Sequence, residues 1–245
     1  MNRLKKYLNQ LSNLLYPQYC LHCEEGVPGP SIFCENCQAQ ITRLSESHCF
    51  ICSIPFESSA ATSHSPDHRC GECRENLPAF SKAVTPFLYE GPLSSAICQF
   101  KYQKKPHLAV PLAGLMMNDL AGIAVGGIDS VMAIPLHPSR LRSREFNQSL
   151  LLAREIGKAT SVPYSIDALI RTRETQPQVG LSRKERHENI KGAFQVTRPN
   201  EIKDHKILLV DDVYTTGATL KEASKIVIQS GAKEVIVATI ARMTT

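Results

Sequence analysis

The sequence predicts an α/β body built on a parallel sheet, preceded by a small cysteine-rich module held together by metal ions. Short apolar runs alternate with helical segments from residue 83 to the C-terminus, as in sheets whose parallel strands are linked by covering helices. Eight of the nine cysteines lie before residue 80, and only Cys98 follows. Charge divides at the same place: residues 1–80 carry 6 Lys/Arg against 8 Asp/Glu, and residues 81–245 carry 22 against 15. A chain of 245 residues suits one medium domain plus a small one, here 1–78 and 79–245, with Leu77-Pro78 as the connector. Apolar residues at 42% and charged residues at 21% exclude a disordered chain. No apolar run approaches the roughly 20 residues that span a bilayer. Asn9, Gln10, Ser12 and Asn13 interrupt any signal-peptide core, so a cytoplasmic protein without membrane insertion is expected. Fifteen aromatic residues and no Trp offer no extended aromatic platform.

The first element is a helix. Leu4, Leu8, Leu11 and Leu15 recur at helical spacing, Lys5, Lys6 and Gln10 lie off that stripe, and Tyr16-Pro17 ends it. Its basic face is too thin for a membrane-surface helix, which favours packing on the module that follows.

That module contains four Cys-x-x-Cys pairs: Cys20/Cys23, Cys34/Cys37, Cys49/Cys52 and Cys70/Cys73. A two-residue gap in a tight turn points both thiolates at one tetrahedral ion, and two such turns complete a four-thiolate zinc site. Ten residues separate pairs one and two, and 17 separate pairs three and four, so two tandem zinc ribbons are expected. So short a segment cannot fold on its own core, and two structural Zn²⁺ ions would supply the missing free energy. A disulfide framework would need an oxidising compartment that nothing else supports. Thioredoxin-like chemistry uses one such pair, not four. Cross-bracing of pairs one with three and two with four stays open. His22, His48, His64 and His68 are surplus to eight thiolates, and closed sites leave no position for a catalytic water.

In the body the pattern predicts strands at 83–89, 131–134, 169–172, 206–210 and 234–240. Helices are predicted at 94–102, 108–120, 147–160 and 219–230, with polar loops after residue 134 and over 173–191. Ligands of such sheets bind beyond the carboxyl ends of the strands, here after Ile134, Thr172 and Val210.

Residues 207–219, ILLVDDVYTTGAT, carry the densest chemistry. A buried apolar strand delivers Asp211 and Asp212 to its carboxyl end, and Thr215, Thr216, Gly217, Ala218 and Thr219 turn into a helix. Such a turn presents N–H groups and hydroxyls that suit a phosphate. Adjacent carboxylates cannot hold phosphate but suit sugar hydroxyls. Together they describe a site for a ribose 5-phosphate. Taken singly, Asp-Asp could be a solvated strand end and Thr-Thr-Gly a helix cap; their order behind an apolar strand argues against both.

This segment resembles the phosphoribosyl pyrophosphate (PRPP) signature of type I phosphoribosyltransferases. Head and body together resemble the ComF family of late-competence proteins over nearly the whole chain. The resemblance implies a type I phosphoribosyltransferase-like fold with an N-terminal double zinc ribbon. It also implies Mg²⁺-dependent PRPP binding and handling of incoming single-stranded DNA during natural transformation, alongside other DNA-uptake proteins. It assigns Asp211 and Asp212 to the ribose hydroxyls, and Thr215, Thr216, Gly217, Ala218 and Thr219 to the 5-phosphate. Residues 135–148, with Arg140, Arg144, Phe146, Asn147 and Gln148, correspond to the pyrophosphate loop. Residues 175–194, with Gln176, Leu181, Arg186, Asn189 and Gly192-Ala193-Phe194, correspond to the loop that closes over PRPP. Glu145 stands where the family usually has Gly, and Tyr214 where it usually has a smaller residue.

Residues 140–191 hold 11 Lys/Arg against 6 Asp/Glu, which suits a pyrophosphate or a nucleic-acid backbone. Lys101, Lys104 and Lys105 beside Tyr102, with Arg140, Arg142 and Arg144, are the nucleic-acid candidates. His107, His137, His187 and His205 are scattered and carry no such pattern. Two functions compete. In a transferase serving nucleotide or base salvage, Asp211, Asp212, Arg140 and Arg144 would be catalytic and act by positioning and charge stabilisation. In a DNA-handling protein the same site would be a sensor or scaffold. A base-recognition element would separate them, and none is identifiable.

Overall fold

The computed structural model describes residues 18–27, 31–58, 67–124, 127–175 and 182–244. The helix expected over Leu4 to Leu15 lies outside the described residues, as do His64, Gln176 and Leu181.

Five parallel strands form the central sheet: β3 (Lys82–Val84), β11 (Glu234–Ala238), β9 (Lys206–Val210), β5 (Ser130–Ala133) and β6 (Tyr164–Ser165), in that spatial order. Burial on both faces explains the continuous apolar run of β9. Alternate residues point to opposite sides. Leu208 and Val210 join the core under α4 (Ala109–Ala124) and α6 (Gln148–Thr160), with Leu112, Met116, Leu152 and Ile156. Ile207 and Leu209 join the core under α8 (Ala218–Gln229), with Leu220, Ala223 and Val227. Helix α6 starts where Asn147 caps it, its side chain accepting from the Ser149 N–H at 3.1 Å.

The expected parallel α/β body is present, but several elements differ. The strand expected over 83–89 is broken. Lys82–Val84 pairs with β11, whereas β4 (Phe87–Leu88) joins a separate parallel sheet with β12 (Ala241–Arg242) and β10 (Val213–Tyr214). Pro86, lacking an N–H, stands at the break. The last strand divides likewise, β11 ending at Ala238. The strand expected at 169–172 is β7 (Leu169–Arg171), which pairs antiparallel with β8 (Phe194–Val196) outside the central sheet. Periodicity shows that a run is extended but not which strand accepts it. Two polar segments read as loops contain helices: α5 (Pro138–Arg144), and α7 (Arg183–Ile190) with its Ser182–Glu185 capping box.

In the head, a short hairpin of β1 (Gln18–Tyr19) and β2 (Gly26–Val27) flanks the first cysteine pair. Helices α1 (Glu35–Ala39) and α2 (Gly71–Glu75) begin directly after Cys34 and Cys70. The head packs on the body along its length. Cys20, Phe33, Cys34 and Cys37 share a core with α3 (Gly91–Tyr102), and Cys49, Ile51, Cys52 and Cys73 share the other with Tyr214 and α8. Main-chain bonds join the two, including Ala83 N–H to Ile51 O at 2.7 Å and Leu44 N–H to Pro86 O at 2.8 Å.

Candidate functional site

Two thiol clusters form in the head: Cys20, Cys23, Cys34 and Cys37, and Cys49, Cys52, Cys70 and Cys73, with all Sγ atoms of each within 4.8 Å of one another. Sequence-adjacent pairs therefore share a site, which removes the cross-braced alternative. The Cys23–Cys34 and Cys52–Cys70 Sγ separations are 3.6 and 3.7 Å. Zn–S bonds of about 2.3 Å in a tetrahedron give edges of roughly 3.8 Å, so these two edges match a zinc tetrahedron. The cysteines are free thiols, and the sites are closed and mostly buried. Glu24 and Ser53, one residue past each first pair, take positive φ of 61° and 58°, closing the turns that aim both thiolates inward. The described histidines stay outside: His22 meets Ser95, His48 meets the Ser45 carbonyl, and His68 lies edge-on to Phe56.

At the carboxyl ends of β5 and β9 a cleft of about 660 Å³ opens, a volume ordinary for a small-molecule site. It gathers residues from every segment singled out in the body: Lys101 and Lys104, Arg140 and Arg144, Arg186, Asp211 and Asp212, and Thr215, Gly217, Ala218 and Thr219. Gly217 is the N-cap of α8, with φ of 76° and no side-chain cap, which leaves first-turn N–H groups open to a ligand. A Cβ there would also strike the Tyr214 ring, 2.5 Å from its Cζ. Beside it the Thr216 hydroxyl is buried without a hydrogen-bond partner. Thr216, expected in the cradle, does not line the cleft; the uncapped helix start and the hydroxyls of Thr215 and Thr219 are what fit a phosphate there.

The two acids are held differently. Asp211 accepts from Ser149 Oγ at 2.8 Å and from the Asp212 N–H at 2.9 Å. Burial, reinforced by the charge of Asp212, pushes its carboxyl up to about 7. Asp212 is paired with Lys101 Nζ at 2.8 Å. Burial opposes the Lys101 charge, but Asp212 outweighs it and holds the ammonium above its ordinary pKa.

Across the cleft, three guanidinium groups crowd together. Arg140 donates to the Thr175 carbonyl at 3.0 Å and Arg171 to the Thr175 hydroxyl. Arg144 lies over the Tyr102 ring at 5.0 Å and donates to Gln148 at 3.2 Å. Burial first, then Arg144, lowers the pKa of Arg140; burial, then Arg140, brings Arg171 to about 10. Cations that depress one another in a cleft suit an anionic ligand. At the C-terminus of α5, Glu145 adopts a left-handed φ of 68° and turns outward to pair with Lys104. Lys105 bonds Gln99 at 2.6 Å, and Arg142 is exposed on α5. Lys101, grouped by sequence with the rim lysines, instead reaches the cleft floor. Arg171 and Ser149 escaped the sequence reading. Arg171 lies in a run that reads only as strand, and Ser149 acts as a cap neighbour until its hydroxyl meets Asp211.

A family model described as phosphoribosyl transferase domain matches residues 147–244, and one described as double zinc ribbon domain matches residues 11–74. DNA utilization protein YhgH of Escherichia coli K12 is 32% identical over 227 residues, covering 91% of this chain and 96% of the relative. Competence protein F of Haemophilus influenzae is 31% identical over 229 residues, with the same 91% and 96% coverage. The chain belongs to the ComF family. Competence protein ComFC of Streptococcus pneumoniae, 26% identical over 212 residues, covers 84% of this chain and 85% of its own length. The double ribbon and the phosphoribosyltransferase-type body of this ComF member are thus both present. No described helix is long and apolar enough to cross a membrane.

Proposed function

We propose that the cleft binds the Mg²⁺ complex of PRPP and that the protein is a cytoplasmic competence factor handling single-stranded DNA. One observation carries the first part: guanidinium groups of Arg140, Arg144 and Arg171 face Asp211 and Asp212 across a cleft closed by an uncapped hydroxyl-glycine turn. In this reading residues 215–219 take the 5-phosphate, Asp211 and Asp212 accept from the ribose hydroxyls, and Arg140, Arg144 and Arg186 meet the pyrophosphate. Lys101 must then share Asp212 with the sugar. Mg²⁺, when bound, would neutralise part of the pyrophosphate charge, with Asp211 and Asp212 the carboxylates in the cleft that would hold it. Names of the relatives, competence and DNA utilization, support the second part. Exposed Lys104 at the cleft edge and exposed Arg142 on the adjoining α5 offer a path for a phosphate backbone.

The test is calorimetry of Mg–PRPP binding, followed by pyrophosphate release with a panel of bases and with single-stranded DNA. Micromolar binding without release is the expected result. Release dependent on one base would instead make this a salvage transferase, and absence of binding would remove the PRPP assignment. Single-stranded DNA should bind with an affinity that falls steeply with salt and should weaken when Lys104 and Arg142 are changed together to Gln.

A further inference from the structure

Arg242 is 5% exposed, and its Nε has no hydrogen-bond partner. Its guanidinium donates through NH1 to the Cys52 carbonyl at 2.5 Å and lies over the Tyr214 ring, 4.2 Å from the centroid. A buried guanidinium held by a carbonyl and a ring needs a counter-charge. Four thiolates around one zinc dication would leave two net negative charges beside Cys52, and these would supply it. Tyr214, itself 1% exposed, fills the space under Gly217, so its ring sets where the cradle backbone lies. A second tie runs parallel: Glu72, from the helix carrying Cys73, pairs with Lys221 in the first turns of α8 at 2.8 Å. Cys49, Cys52, Cys73, Tyr214, Ala218 and Leu220 share one buried cluster.

We propose that Arg242 and Tyr214 are positioning residues through which zinc at Cys49, Cys52, Cys70 and Cys73 fixes the anion cradle, making zinc retention and cleft-ligand binding mutually reinforcing. The ligand named in its test, Mg–PRPP, rests on the reading above; the positioning of residues 215–219 does not. Linkage is reciprocal: a ligand favoured by the zinc-ordered cradle must slow loss of that zinc.

The test uses the full chain with both sites loaded. Arg242→Met keeps every thiolate, and its zinc content should remain two per chain. Amides of residues 213–219 should exchange at least tenfold faster than in wild type while those of β9 do not, and Mg–PRPP should bind at least tenfold more weakly. Arg242→Lys, which retains a donor and a cation over the ring, should recover most of both. In unmodified protein, saturating Mg–PRPP should slow chelator-driven alkylation of Cys49, Cys52, Cys70 and Cys73; this decides the matter if Arg242→Met does not fold. Wild-type exchange and affinity in a folded Arg242→Met protein would overturn the proposal. So would unchanged alkylation in protein shown by calorimetry to hold Mg–PRPP. If wild-type protein binds no Mg–PRPP, the PRPP reading falls, and exchange of residues 213–219 alone decides the present one.

Discussion

Asp211 shows how a local environment becomes a measurable pH dependence. Its folded pKa of about 7 lies above the ordinary carboxylate value, so the folded protein holds a proton that the unfolded chain has released. The contribution to stability is therefore favourable at low pH and is lost as pH rises from about 4 to about 7. Ribose hydroxyls need the ionised acceptor, so ligand affinity should run the other way and weaken severalfold from pH 8 to pH 6. Calorimetry across that range checks it, and Asp211→Asn should be flat. Asp211→Asn with Asp212→Asn should abolish Mg–PRPP binding with the fold intact; retained affinity would remove the ribose assignment. Gly217→Ala places a methyl group in left-handed backbone against Tyr214. Strain of about 1–3 kcal/mol should lower Tm by several degrees and loosen ligand binding, checked by thermal melts with and without Mg–PRPP.

At the scale of elements, Asn147 holds two things at once. It caps α6, and its Nδ2 donates to the carbonyl of Ile134, at the end of β5, at 3.0 Å. Asn147→Ala should cost about 1–2 kcal/mol, read as a fall in denaturation midpoint, and should weaken ligand binding because that bond ties the segment carrying Arg140 and Arg144 to the end of β5. Strand β9 is legible as a continuous apolar run buried on both faces, and helix α6 because its apolar periodicity coincides with the Asn147 cap. The 83–89 run and β7 were misplaced for one reason. Strand propensity is local, whereas partner choice depends on distant chain, and Pro86 divides one apolar run between two sheets. Helices α5 and α7 were missed because their faces are mostly charged and leave no apolar stripe to detect.

For the molecule as a whole, head and body share both cores, so metal and fold are coupled beyond the ribbon. Stripping zinc should remove amide protection over residues 20–73 and lower the Tm of the entire chain in one transition, as seen by calorimetry with chelator. A head that keeps its protection without metal would refute a structural role for zinc. The sequence by itself determined the eight ligands, the acid pair and the hydroxyl-glycine turn, because each is a short-range pattern whose spacing dictates its geometry. Tertiary structure alone decided that Cys-x-x-Cys pairs combine as neighbours, that Lys101 pairs with Asp212, and that Arg242 joins Cys52 to Tyr214. The last two contacts connect residues 111 and 190 apart in the chain, and the first depends on how the turns of the head fold on one another, so only the folded chain brings any of them within bonding distance.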